Sequence, residues 1–226
     1  MPRATDGPRR ARVLVLLDAT AARLRDGDAT GYVDALASGL DGDLVITCRR
    51  GDVEHYRRLA PAAIVESGPR GLRFRAVRML WRQFTLPRIA RRHDVDAVHS
   101  PWPPVPLLLT RPRVVTVHDL GFYDKGQPVH RRAPLRRLAL RAAVRISDEI
   151  IVPGRDTAAA LERATTFPAD EALVLPAAHR HEAFAAAHRV AYRSAAALVP
   201  AETGPITLPM LDEPPLLDGS GPEAAH

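Results

Sequence analysis

The sequence predicts an α/β fold in which helices cover a parallel sheet. Seven short apolar runs alternate with helix-compatible segments, and this alternation is typical of β–α–β units. The central runs are rich in valine and isoleucine, as strands covered on both faces are. The predicted strands are Val13–Leu17, Leu44–Cys48, Ala62–Val65, Val95–Ser100, the run from Arg113 that ends at His118, Glu149–Val152 and Ala172–Leu175.

Helices are predicted in the segments that connect or follow these strands. They are Tyr32–Leu40, Asp52–Leu59, Leu72–Arg92, Arg131–Ile146, Thr157–Ala164 and Glu182–Leu198. Two of them combine apolar and arginine-rich faces, and for these the apolar face is predicted to pack on the sheet. The expected core residues are Val77, Leu80, Trp81 and Phe84 in the third helix, and Leu135, Leu138, Ala139, Ala142 and Ile146 in the fourth.

The arginines of the third predicted helix allow two interpretations. Arg75, Arg78 and Arg82 lie opposite the apolar face, and a solvated outer face is the simpler explanation. The alternative is a patch that binds an anionic membrane surface, where each arginine contributes about 1 kcal/mol. Pro87 is expected to kink or split this helix.

Composition restricts the class of protein. The chain has 226 residues and a net charge of +6, and Lys125 is its only lysine. This excess of arginine favours an anionic partner, such as phosphate or lipid head groups. Nucleic acid is not expected, because no helix-turn-helix or interleaved aromatic and basic pattern occurs. The single cysteine, Cys48, lies in a predicted buried strand and indicates a reducing, cytoplasmic setting.

The chain is expected to contain one folded domain with additions. Residues 1–10 are predicted to be loose and residues 11–178 to form the α/β domain. Residues 179–199 predict a C-terminal helix, and the proline-rich residues 200–226 predict an irregular, disordered tail. The polar loop after the first strand, Asp26–Gly31, contains neither a dinucleotide-binding fingerprint nor a P-loop.

Two strand ends carry candidate site residues. His118 and Asp119 follow the fifth predicted strand, while His99 and Trp102 follow the fourth. Ligands of open α/β sheets bind at the carboxyl ends of strands, and histidine exchanges a proton near neutral pH. Two structural alternatives remain open: a strand-end histidine bonded to a loop carbonyl, and a packing role for Trp102.

Several motifs in order resemble the N-terminal half of glycosyltransferase family 4, whose members are retaining enzymes of the GT-B type. The motifs are Thr30–Val33, Asp94–Pro101, Val114–Leu120, the arginine-rich helix 131–147, Ser147–Pro153 and Pro168–Pro176. The resemblance implies a Rossmann-like sheet that forms one half of a GT-B fold. It also implies a nucleotide-sugar donor, with neither a metal nor another cofactor.

The resemblance also assigns roles to the candidate residues. His118 is expected to face the donor sugar as the catalytic residue, and Gly31 to approach the donor diphosphate. The acceptor pocket is expected to be shaped by His99, Trp102, Asp119 and Tyr123.

The sequence departs from the family pattern at three places. Pro153 and Gly154 stand where the family has serine, and Ala177 and Ala178 stand where it has Asn-Gly. Residues 182–226 lack the Glu-x7-Glu pattern and phosphate clamp of the donor-binding half. The expected function is therefore the acceptor-binding half of a mannosyl- or glucosyltransferase.

This half would act with a separate donor-binding protein on a sugar or lipid-linked acceptor, in the cytoplasm or on the inner membrane face. The alternatives are a non-catalytic binding module, held at a membrane surface by its arginines, and a truncated pseudo-enzyme.

Overall fold

The sheet of the protein is parallel and Rossmann-like, as predicted. The computed structural model describes residues 12–22, 27–118, 120, 133–175 and 181–198. Within these ranges seven strands lie in the order β3-β2-β1-β4-β5-β6-β7, and each pairs in parallel with its neighbours. The strands are β1 (Val15–Asp18), β2 (Leu44–Cys48), β3 (Ile64–Ser67), β4 (Ala97–Ser100), β5 (Arg113–Thr116), β6 (Glu149–Val152) and β7 (Leu173–Val174).

Six described helices cover both faces of this sheet. They are α1 (Gly27–Gly39), α2 (Val53–Leu59), α3 (Arg75–Arg92), α4 (Ala133–Ile146), α5 (Arg155–Thr165) and α6 (His181–Ala197). The first two and α6 share one apolar core, and the other three pack on the opposite face. Right-handed crossovers dictate this division, because the chain winds outward from β1 to β3 and then in the other direction from β4 to β7. The reversal between β1 and β4 is a switch point of the kind at which α/β proteins bind ligands.

Helix α6 completes the layer that α1 and α2 begin. The crossovers that lead from β4 to β7 leave one face of those strands uncovered, and α6 packs there against α1, β4, β5 and β6. Its buried residues are Phe184, Ala185, His188, Ala191, Tyr192 and Ala195. This helix therefore belongs to the core of the described fold.

Gly31 lies inside α1 and not in a polar loop, which corrects the sequence-based expectation. The helix begins at Gly27, five residues before the predicted start at Tyr32. Packing of Val33, Leu36 and Leu40 into the core stabilises the helix despite its glycines, since tertiary contacts supply most helical stability in proteins.

The arginine-rich helices α3 and α4 turn only part of their predicted faces to the sheet: Trp81 and Ile146 are partly buried against the core, as predicted, but other expected core residues are exposed. In α3 the core contacts come from Leu86, Ile89 and Ala90, and the helix continues through Pro87. Leu80 is 62% exposed, and Val77 and Phe84 are exposed as well. In α4 the core residues are Leu140, Ala143 and Val144, whereas Leu135 and Leu138 are exposed.

Arg82 is buried, so the expectation that it lies on a solvated outer face is corrected. It is 4% exposed and forms an ion pair with Asp18, which is itself fully buried at the end of β1. This ion pair and the contacts of Leu86 fix the rotation of α3, because an uncompensated buried carboxylate is costly.

Candidate functional site

The candidate site lies at the carboxyl edge of the sheet, beside the switch point. β1 ends there at Asp18 and β4 at Ser100, while His118 follows β5 by two residues. A cavity of about 400 Å³ opens at this edge, a volume within the range of small-molecule sites. Its lining residues are Ala21, Arg75, Arg78, Met79, Arg82, Trp102, Pro103, Pro104, Val117, His118, Arg136, Ala139 and Leu140.

His118 lines this cavity and has a buried ring nitrogen without a partner among the described residues. Its ring makes a hydrogen bond with the backbone of Pro101, and proline offers only a carbonyl, so the ring donates. The Nε2 atom is buried and has no hydrogen-bond partner among the described residues. It is therefore Nδ1 that carries the proton, and Nε2 presents a lone pair. Burial lowers the pKa of His118 to about 4, so the ring is neutral at physiological pH.

Two aromatic rings hold the His118 imidazole in place. Tyr32 from α1 meets it edge-on, with ring centroids 4.4 Å apart. Trp102 lies on another side at a centroid distance of 5.6 Å and lines the cavity. The rings restrict how the imidazole can rotate, and Trp102 also offers an apolar surface to a ligand.

A buried chain of hydrogen bonds lies behind His118. Tyr192 Oη is 2.7 Å from His99 Nδ1, and His99 Nε2 is 2.8 Å from Thr116 Oγ1. Thr116 Oγ1 is 2.7 Å from Tyr32 Oη, which is 2.8 Å from His188 Nε2. These five side chains, which we call the polar chain, join α1, β4, β5 and α6.

The direction of every bond in the polar chain follows from one fixed end. His188 Nδ1 lies 2.8 Å from the carbonyl oxygen of Phe184 and must donate to it, so its Nε2 accepts the Tyr32 hydroxyl proton. Tyr32 Oη then accepts from Thr116, whose oxygen accepts from His99 Nε2–H. His99 Nδ1 in turn accepts from Tyr192. Each group thus has the partner it needs.

Burial keeps the polar chain neutral. It lowers the pKa of His188 to about 4 and the pKa of His99 well below its usual range. The same desolvation raises the pKa values of the Tyr32 and Tyr192 hydroxyls. A neutral, fully bonded network of this kind stabilises one arrangement of the elements it joins.

His99 is placed by the structure in this network and not in a pocket wall. The sequence-based expectation gave it a share of the acceptor pocket, but it is fully buried and both its ring nitrogens are bonded. The physical reason is α6, which covers this part of β4 and supplies Tyr192.

The remaining candidates have mixed placements. Trp102, Arg75 and Arg78 line the cavity. Gly31 is exposed on α1, and a Cβ atom added there would meet no described protein atom within 4 Å. Asp119 and Tyr123 lie outside the described residues.

Sequence reasoning missed Asp18 and most of the polar chain. Asp18 was detectable, because it follows an apolar run at a strand end just as His118 does. Oδ1 of Asp18 accepts hydrogen bonds from the backbone and hydroxyl of Thr20, at 3.0 and 2.6 Å. His188 and Tyr192 carried no local signal, since they lie on a helix remote in sequence.

A second, smaller cavity lies at the opposite, amino edge of the sheet. It measures about 230 Å³ and is lined in part by Arg12, Asp43, Arg189 and Arg193. Asp43 pairs there with both Arg12 and Arg189, at 3.3 and 3.5 Å. A carboxylate therefore lies among the arginines of this cavity.

Two absences among the described residues bear on the class of site. No group of three or more histidine, cysteine, aspartate or glutamate side chains is arranged there to hold a metal ion. None of the described helices is long and apolar enough to cross a membrane.

Comparison with known sequences identifies the family. The family model described as Glycosyltransferase Family 4 matches residues 30–179, whereas no curated protein matches the chain significantly. The match covers more than half of the chain and includes β2 to β7, with β1 and α6 outside it. The chain therefore belongs to glycosyltransferase family 4.

Proposed function

We propose that this chain is the acceptor-binding half of a retaining, GT-B-type hexosyltransferase that uses a nucleotide-sugar donor. The donor-binding domain would come from another part of the polypeptide or from a separate protein. The observation that carries the proposal is His118, which lines the cavity beside the switch point and whose buried Nε2 has no partner among the described residues.

The chemistry of glycosyl transfer suits a neutral imidazole at this place. Transfer with retention builds positive charge on the donor sugar and negative charge on the leaving diphosphate, and preorganised dipoles stabilise both. An imidazolium would repel the sugar, but the lowered pKa of His118 keeps its ring uncharged. Its Nε2 can then accept a hydrogen bond from a sugar hydroxyl.

The cavity wall supports binding of a sugar. Trp102 provides an aromatic surface next to His118, and aromatic rings combine an apolar body with polar edges. Arg75, Arg78 and Arg136 add donors from two helices. Donors and apolar surface together are what a sugar carrying an anionic group requires.

The test is nitrogen NMR of the full chain labelled with 15N at histidine. Titration with methyl α-glucoside, methyl α-mannoside, UDP-glucose and GDP-mannose should move the His118 Nε2 resonance, because hydrogen bonding at that atom changes its shielding. His55, which pairs with Asp34 on the surface, serves as the internal control. A His118 resonance that none of the four compounds moves would contradict the proposal.

A second candidate function is a non-catalytic module at a membrane surface, on the cytoplasmic side. The observation that favours it is the outer face of α3, where Phe74, Val77, Leu80 and Phe84 are exposed on a helix that contains no acidic residue. Apolar and basic side chains on one helix are typical of interfacial binding.

Co-sedimentation with vesicles tests this second function. Vesicles with phosphatidylglycerol should bind the protein in a salt-sensitive way, and the double substitution Leu80→Ser/Phe84→Ser should weaken binding. Vesicles of phosphatidylcholine alone are the control. Equal binding by the variant would argue against a membrane role for α3.

A further inference from the structure

The described residues that line the carboxyl-edge cavity carry an excess of positive charge. Arg75 and Arg78 reach it from α3 and Arg136 from α4, and neither aspartate nor glutamate is among the described residues that line it. Arg82 also lines it but is neutralised by Asp18. Among the described residues, none of the other three arginines has a carboxylate within ion-pair distance.

Arg78 is the most constrained of these arginines. It is half-buried, and its Nη1 donates to the carbonyl oxygen of Leu72 at 3.0 Å. Burial, and then the neighbouring charges of Arg49 and Arg82, lower its pKa. A guanidinium that is partly desolvated among like charges is stabilised by an anion that bonds to it.

The same cavity has an apolar side. Met79, Pro103, Pro104, Ala139 and Leu140 line it together with the arginines. The two helices that supply the arginines also expose leucines next to the cavity-lining positions, Leu80 on α3 and Leu138 on α4. A small hydrophilic anion would satisfy the guanidinium groups and leave this apolar surface uncovered.

We propose that the cavity between α3 and α4 binds a phosphate ester carried on an apolar chain, with the phosphate on Arg75, Arg78 and Arg136 and the chain on the apolar wall. This binding site rests on the function proposed above, and it assigns the acceptor to the class of amphiphilic phosphate esters. Charge complementarity favours a phosphate group. The apolar lining favours a phosphate ester with an apolar chain over inorganic phosphate.

Tryptophan fluorescence of the full chain measures this binding, because Trp102 lines the cavity. The probes are n-octyl phosphate, n-octyl β-glucoside and inorganic phosphate, with the two octyl compounds kept below their micelle-forming concentrations. We expect octyl phosphate to bind at least about tenfold more tightly than either of the others, the size of effect typical of a hydrogen bond between charged groups.

Three variants test which arginines bind the phosphate. Arg75→Gln/Arg136→Gln should weaken octyl phosphate binding about tenfold or more, and Arg78→Gln should do so as well. Because Arg78 also bonds to Leu72, its variant is compared with Arg78→Lys, which keeps the charge, and the melting temperature of each is recorded. Arg163→Gln, at an exposed position of α5 remote from the cavity, is the matched control and should bind as wild type does.

Two outcomes would overturn the proposal. One is octyl glucoside or inorganic phosphate binding as tightly as octyl phosphate; the other is unchanged octyl phosphate binding by Arg75→Gln/Arg136→Gln. Neither result bears on the NMR titration of His118 with sugars, which tests the proposed function separately. Failure of the phosphate site and failure of the proposed transferase function are therefore distinguishable.

Discussion

Three tyrosines of the fold differ in how many hydrogen bonds their hydroxyls make. We therefore expect Tyr→Phe substitutions at the three positions to lower the free energy of unfolding by different amounts. Tyr32 Oη bonds to both Thr116 and His188, and Tyr192 Oη bonds to His99. The Tyr56 hydroxyl is also buried but has no partner among the described residues. The three substitutions remove the same atom, so they differ mainly in the partners that they leave behind.

The expected magnitudes follow from those partners. Tyr32→Phe leaves a buried hydroxyl donor on Thr116 and a buried acceptor on His188, and each unsatisfied group costs about 1–3 kcal/mol, so the free energy of unfolding should fall by about 2–6 kcal/mol. Tyr192→Phe leaves only His99 Nδ1 unsatisfied and should cost about 1–3 kcal/mol. Tyr56→Phe should be neutral or slightly stabilising, because it removes a buried polar atom that has no described partner.

Urea denaturation followed by circular dichroism at pH 7 measures the series. Tyr56→Phe is the matched control for loss of a buried phenolic oxygen. The deduced bond directions would be refuted if Tyr32→Phe were no more destabilising than Tyr56→Phe. A larger loss for Tyr192→Phe than for Tyr32→Phe would contradict the order.

Three further results are expected. The free energy of unfolding should fall as pH drops from about 6.5 to about 4, by up to about 1.4 kcal/mol per pH unit for each buried histidine. The reason is that the pKa of His188 is about 4 in the folded state, so the unfolded chain takes up the proton at a higher pH than the folded chain does. Arg82→Met should cost about 3–5 kcal/mol by leaving Asp18 charged and buried, which urea denaturation measures. Leu80→Ala should change stability by less than about 0.5 kcal/mol, whereas Leu86→Ala should cost about 2–5 kcal/mol.

Controls or contradicting outcomes accompany these three results. Constant stability between pH 7 and pH 5 would contradict the neutral state of the polar chain. Arg58→Ala, which breaks the exposed pair with Glu54, is the control for Arg82→Met and should cost less than about 1 kcal/mol. Equal effects of Leu80→Ala and Leu86→Ala would contradict the observed rotation of α3.

Much of the fold was predictable because local sequence determines strands strongly here. The strands Leu44–Cys48 and Glu149–Val152 have the predicted bounds, since apolar β-branched runs between turn residues have few other structures open to them. Burial of Cys48 was also predicted. The helices were found as well, with ends that shifted where packing extended them.

The candidate site was predictable only in part. His118 and Trp102 were identified from their positions after strands, and that rule holds because parallel strands end at one edge of the sheet. The same rule gave His99 a share of the pocket, but whether a strand-end side chain meets a ligand or a covering helix depends on the face to which it points. Helix α6 covers that face.

The sequence by itself determined the parallel sheet, the family motifs and the strand-end position of His118. Only the tertiary structure decided which face of α3 turns inward, because Phe84 and Leu86 are equally apolar and the choice depends on the buried Asp18 that Arg82 meets. Tertiary structure also assembled the polar chain from α1, β4, β5 and α6. Hydrogen bonds between elements so far apart in the chain leave no local pattern, since each residue is ordinary in its own segment and acquires its partner only on folding.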